Sequence, residues 1–458
     1  IKLFMTFEAE RPFGPDRDGL WLAAQEAAKR DEGWQRDLLT ALKAHWDSPM
    51  WSTLIAGWRT WPEDPMAAAK RLQWLRQPEI LKHHAHAASH VLRSLVAGPV
   101  KPYVADLLPQ ADAICRELCT ALEMEPVEYD GNGWLDAAIN RPAGALADYV
   151  GDSLAYRPGI GIEPPTGLGA DVEGLFARLL LMKNGHVSMV RPVMARRLVQ
   201  LAEIAPDWTR KTIVPWLSCP NDECFAQAWD GYLLGGRYPL GVDEMTRPAF
   251  LAGTERVAKL LPGRLDDYVE IYVFYMLMDV DPLAEWLPHL VQSASDDTRK
   301  MLAWRLHWVL SNASADQLTT WWAGWIKTYW ERRNKGVPRP LAGGELAEML
   351  GWPAVLPQFF GESAKLAAAM PKGQLQYTAL FEDLTARDLH RTQPEEAASY
   401  LTTVLGWPGA ESLRYELPDL IKAMDKSQLS SVTLKALEAA LAFLGLKDLE
   451  WGPEAEGT

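Results

Sequence analysis

Apolar residues recur along most of this chain at spacings of three and four, the mark of helices that bury one face. The stretch from Asn184 to Arg237 shows the pattern best. Val190, Met194, Leu198, Leu201 and Ala205 fall at i, i+4, i+8, i+11 and i+15, so they share one helix face. Pro192 sits where a helix can start, because its missing N–H is not needed in a first turn. Pro206 ends that helix, and Asp207 caps a short one that stops near Pro215. Trp216 and Leu217 anchor the next loop, and residues 218–222 form a turn and capping cluster. A third helix carries Phe225, Trp229, Leu233 and Leu234 and stops at Gly235-Gly236. Each such unit has one apolar face it cannot bury alone, so units of this kind gain stability by stacking on their neighbours.

The same reading extends along the chain. Helical patterns run from Leu20 to Leu107, broken at Ser48-Pro49, Trp61-Pro62, Gln77-Pro78 and Gly98-Pro99, and a further helix covers 109–123. A unit from Trp134 to Arg157 is interrupted at Pro142 to Gly144, and 158–169 reads as an exposed loop or linker. Helices resume at Val172. After Gly236 they cover 246–262, 266–290, 295–310 and 315–334, and a glycine- and proline-rich break spans 336–344. Helical candidates then cover 345–350, 355–370, 373–390, 394–406, 411–424 and 428–445. No run alternates with period two between turn signals. The expected fold is all-α, with α-solenoid-like stacked helical hairpins and no substantial β-sheet. Three regions are expected: an N-terminal helical region, 1–125, a central helical-repeat region, 126–340, and a C-terminal cap, 341–458.

Composition narrows the function classes. Hydrophobic residues make up 48% and charged residues 23%, which excludes wholesale disorder. The formal net charge of −14 disfavours nucleic acid as a partner, since phosphate neutralisation needs a cationic surplus. No run approaches the roughly 18 apolar residues that mark a membrane span. The nearest, Tyr268 to Met278, contains Glu270 and reads as a buried helix. Four cysteines are too few for a secreted disulfide scaffold, and the first residues lack a signal-peptide pattern, so cytoplasm is the expected location. The chain begins without Met, as a piece of a longer polypeptide would.

Several clusters bear on chemistry. His83, His86 and His90, beside His84, would share a helix face at i, i+3 and i+7, but no carboxylate or cysteine completes a zinc set within that segment, and a packed surface explains them better. Cys115 and Cys119 lie one turn apart and Cys219 and Cys224 flank a turn; their spacings are looser than a zinc knuckle, and Cys115 and Cys119 read as small core residues. Gly159, Gly161, Gly167 and Gly169 match no phosphate-loop pattern. Acidic pairs such as Asp266-Asp267, Asp296-Asp297 and Glu382-Asp383 fit helix starts. Trp321, Trp322, Trp325, Tyr329 and Trp330 form an aromatic stripe at helical spacing, next to Arg332, Arg333, Lys335 and Arg339. Core packing accounts for the stripe. As a ligand or anion site, its contact residues would be Trp321, Trp325, Arg332, Arg333, Lys335 and Arg339. No G-x-S-x-G or H-E-x-x-H sequence occurs, and the residues imply no metal or cofactor.

Five segments carry a family resemblance. They are WLDAAINRPAGALADYV (134–150), RPVMARRLVQLAEIAPDWTRKTIVPWL (191–217), AWDGYLLGGR (228–237), LTTWWAGWIKTYWERRNKGVPRPLAGGELAEMLGW (318–352) and HRTQPEEAASYLTTVLGW (390–407). Together they resemble the large helical C-terminal region of bacterial anti-phage defence proteins that carry an N-terminal sirtuin-like domain. The resemblance covers most of 130–410, and it rests on Trp, Pro, Gly and Asn positions. It implies a helical part that senses a phage component, or holds or assembles an effector that destroys NAD. The sirtuin-like part is missing here, with no dinucleotide loop and no catalytic histidine to carry over. The implied role is therefore a non-catalytic scaffold and sensor. Its partners would be a sirtuin-like effector and a phage protein, with self-association into a homo-oligomer compatible. The loops 158–169 and 336–344 are the expected contact elements. The alternative is a nucleotide- or nucleic-acid-binding module, or an enzyme, with its site at 321–339.

Overall fold

In a computed structural model, the described residues are 17–30, 32–48, 50–99, 101–129, 131, 133–157, 167–235, 242–375, 380–447, 449 and 451. They form an all-α protein: helices and short helical turns follow one another from Arg17–Arg30 to Ser431–Phe443, with no strand among the described residues. The chain divides into two compact units, 1–246 and 247–458. Most of the expected contact loop at 158–169 lies outside the described residues, as do Gly159 and Gly161.

The first unit is built around the helix Pro142–Ser153, where Pro142 through Gly151 are buried without a break. Small residues make this possible. At Gly144 an added Cβ would overlap the Ala138 carbonyl, so the helix seats against the Trp134–Ile139 helix backbone to backbone. Ala85–Val96 and His186–Arg196 pack on its other sides, and Asp222–Gly235 packs on His186–Arg196. The face read from the sequence is buried as expected: Val190, Met194, Leu198, Leu201 and Ala205 all lie in the core. The helix boundaries are not where the sequence put them. Pro192 lies inside His186–Arg196, and a second helix, Leu198–Ile204, follows a break at Arg197. Gly185, in the left-handed region at φ 83°, supplies the start instead. Leu234 is exposed, whereas Phe225, Trp229 and Leu233 are buried.

In the second unit, Asp296–Asn312 packs against Leu265–Met278 and Gly343–Gly351. The Trp352 indole N–H donates to the Ala303 carbonyl at 3.1 Å, and the Tyr400 hydroxyl donates to the Leu350 carbonyl at 2.6 Å. Further on, Phe360–Ala368 packs on Pro394–Leu405, which packs on Ser431–Phe443. Leu265–Met278 is the buried helix the sequence predicts, although its last residue, Met278, is exposed. No helix among the described residues is long and apolar enough to cross a membrane.

Candidate functional site

The stretch 321–339 begins with Ala315–Trp321, whose first turn is closed by a reciprocal Ser314–Gln317 capping box. A π-helical turn, Trp322–Ile326, follows, and Lys327–Asn334 completes the run. The π turn accommodates an extra residue, which lets Trp322, Trp325, Ile326, Tyr329 and Trp330 all face inward. Trp322 stacks on Phe359 with centroids 5.0 Å apart, and Trp330 meets Trp352 edge-on at 5.3 Å. Burial pushes the Tyr329 hydroxyl well above its usual range. The stripe is core.

Arg333 is 1% exposed. Its Nε donates to Glu345 Oε1 at 2.9 Å and its Nη2 to Oε2 at 3.0 Å, while Nη1 donates to the carbonyls of Val337 (3.1 Å) and Arg339. Arg299, equally buried, places Nη1 3.1 Å from the same Glu345 and 2.7 Å from the Pro340 carbonyl. Arg339 donates to the Ala294 carbonyl at 3.1 Å. Arg332 and Lys335 are exposed, Trp321 is half-buried, and Trp325 is buried. The six residues singled out by sequence therefore do not converge on one surface. Arg333 instead holds the loop 336–344 from beneath, and Val337 and Pro338 remain exposed on that loop.

The charges of the first unit are used in the same way. Asp148, fully buried, meets Arg93 at 2.9 Å, Arg197 at 2.8 Å and Arg196 at 2.5 Å, and Arg197 also reaches Asp152 at 2.7 Å. Asp112 takes a hydrogen bond from the Tyr149 hydroxyl (2.8 Å) and pairs with Arg157. Asp230 accepts the backbone N–H of Leu135 at 2.7 Å, which serves the start of the Trp134–Ile139 helix.

The histidines depart from the single helix expected of them. His84 sits between two helices, Pro78–His83 and Ala85–Val96, with φ −134°. Its ring packs near Trp51 and lies 2.6 Å from the Trp46 carbonyl and 2.9 Å from the Ser52 hydroxyl. Among the described residues no group of three or more His, Cys, Asp or Glu side chains is placed to hold a metal. Cys115 and Cys119 are buried core residues; a hydrogen bond to Cys119 and then burial push the Cys115 thiol well up.

A cleft of about 910 Å³ opens beside the histidines, lined by His83, His86, Arg141 and His186 among others. Arg141 and His186 were not candidates on sequence grounds. Their only sequence signal is position: Arg141 precedes Pro142 and His186 follows Gly185, both at helix starts. No protein-family model matches this chain, and no curated protein matches it significantly.

Proposed function

We propose that this chain is a non-catalytic helical scaffold and sensor module of a bacterial anti-phage defence system. On this reading it regulates or assembles an NAD-degrading, sirtuin-like effector through protein–protein contacts. The observation that carries the reading is the loop 336–344, inside the segment 318–352 that bears the family resemblance. Two buried arginines, Arg299 and Arg333, bind its carbonyls from within, while Val337 stays 49% exposed. A loop fixed in advance loses less freedom when a partner docks, so its exposed apolar residues contribute more to affinity. Of the charged groups around it, Arg299, Arg333 and Glu345 serve this support, while Arg332 and Lys335 are exposed.

Co-expression of the chain with a sirtuin-like protein encoded beside it tests the proposal. The pair is expected to co-purify, and Val337→Asp is expected to lower the recovered effector at least tenfold, about 1.4 kcal/mol, with an unchanged melting temperature. Recovery of the chain alone, or NAD hydrolysis by the purified chain itself, would remove the proposal.

A further inference from the structure

We propose that the outward face of the Asp296–Asn312 helix docks a basic amphipathic segment of a partner protein, one that sets lysine or arginine beside a row of apolar side chains. The proposal goes beyond the scaffold reading and does not depend on it. Asp297, Met301, Trp304 and Trp308 follow at i, i+4, i+7 and i+11, so they share one helix face. Trp304 is 45% and Trp308 52% exposed. They are the exposed tryptophans among the described residues, and they stand one turn apart. Tryptophan is costly to leave in water and is enriched at the centres of protein interfaces.

The two rings are held in place. The Arg305 guanidinium lies over both, 5.0 Å from the Trp304 centroid and 5.9 Å from that of Trp308. Arg305 is itself fixed by Asp266 at 2.6 Å and Glu270 at 2.9 Å, both on the Leu265–Met278 helix. Rings ordered in advance lose little freedom when a partner covers them.

The charges beside the ridge set the sign of that partner. On the Leu265–Met278 side, the Asp266, Asp267 and Glu270 side chains are 38–54% exposed, whereas their partners Arg305 and Arg264 are 10% and 24% exposed. On the opposite flank, Lys300 and Arg387 stand against Glu348 and Asp383. Asp297, exposed on the ridge, adds a further carboxylate. Carboxylates therefore outnumber permanent cations, and they are the more accessible to solvent next to the tryptophans. The helix ends do not reverse this, because the start of Leu265–Met278 and the end of Asp296–Asn312 oppose each other there. Burial raises the Asp267 carboxyl, Arg264 lowers it, and Asp266 and Glu270 raise it again, a repulsion that a partner cation relieves. The surface is a ridge running along the helix, which suits an extended apolar stripe, and lysines or arginines flanking that stripe meet the carboxylates.

The test uses the full chain with two fluorescein-labelled amphipathic helical peptides, one of leucine and lysine and one of leucine and glutamate, read by fluorescence anisotropy. The lysine peptide is expected to bind saturably and the glutamate peptide at least about tenfold more weakly. Trp304→Ala with Trp308→Ala should raise the dissociation constant of the lysine peptide at least about tenfold. Because both rings rest on Arg305, Trp308→Lys is measured beside it: it keeps the Trp304 ring, puts a like charge on the ridge, and should weaken binding by a similar factor. No saturable binding of the lysine peptide overturns the proposal, and so does equal binding of the glutamate peptide. An unchanged constant in both variants overturns the placement. Dimerisation of the chain that the variants abolish would assign the ridge to a second copy instead, and co-sedimentation with phosphatidylcholine vesicles that they abolish would assign it to a membrane.

Discussion

Gly231 lies so close to Pro192 that a Cβ at position 231 would overlap the Pro192 carbonyl oxygen. The two helices involved, Asp222–Gly235 and His186–Arg196, touch along their lengths at this point. The obstacle is backbone, so it cannot rotate away. Gly231→Ala is expected to cost about 3 kcal/mol or more. A fall in the urea midpoint checks this, and a midpoint within error of the parent would mean the helices separate freely.

Gly174 gives the opposite expectation. It lies within Ala170–Leu180, and an added Cβ would meet nothing within 4 Å. Alanine there restricts the unfolded chain without a clash, so Gly174→Ala should stabilise by about 0.5–1 kcal/mol. The same urea titration reads it, and a lower midpoint would contradict the open surroundings.

Glu345 is the single carboxylate that both Arg299 and Arg333 share at depth. Removing it leaves buried Arg333 without a carboxylate partner among the described residues, and buried Arg299 with only the exposed Asp296. Glu345→Ala is expected to cost about 3–5 kcal/mol. Because those arginines also hold the carbonyls of 336–344, limited proteolysis should cut the variant within that loop before the parent. Equal resistance would show that the loop does not depend on the pair.

His90 titrates at about 4, pushed down first by burial and then by neighbouring His86, Arg59 and Arg93. Its folded value is below the ordinary value of 6.5, so the folded state resists protonation more than the unfolded chain does. Its contribution to stability is complete above pH 6.5 and is lost as pH falls toward 4. His84 and His86 are lowered in the same direction, again by burial first. Urea midpoints between pH 7 and 4 should therefore fall less steeply in His90→Gln than in the parent; identical slopes would assign the acid sensitivity elsewhere.

Much of the helical pattern was legible because burial follows periodicity. Val190, Met194, Leu198, Leu201 and Ala205 share a buried face even though a break at Arg197 divides them between two helices, since a one-residue break preserves the face. The helix starts were less legible. Pro192 satisfies the rule for a first turn, yet the left-handed Gly185 begins the helix, and only the close approach of Gly231 shows what the proline backbone meets. The aromatic stripe at 321–330 reads as core and is core but for Trp321, which is half-buried. Its neighbour Arg333 looked like a surface cation because the partner that buries it, Glu345, lies across a loop that sequence spacing does not fold. The cleft left the least trace: His186 and Arg141 are 45 positions apart, and only tertiary packing brings them to one wall.

Asp148 binds Arg93 of Ala85–Val96 and both Arg196 and Arg197 at the end of His186–Arg196. A carboxylate grasped from two directions leaves neither neighbour able to fray by itself, since any opening exposes an uncompensated charge in the interior. Amide protons along these three helices should accordingly exchange with solvent at one shared rate, as a single cooperative foldon, while segments outside this grip open on their own.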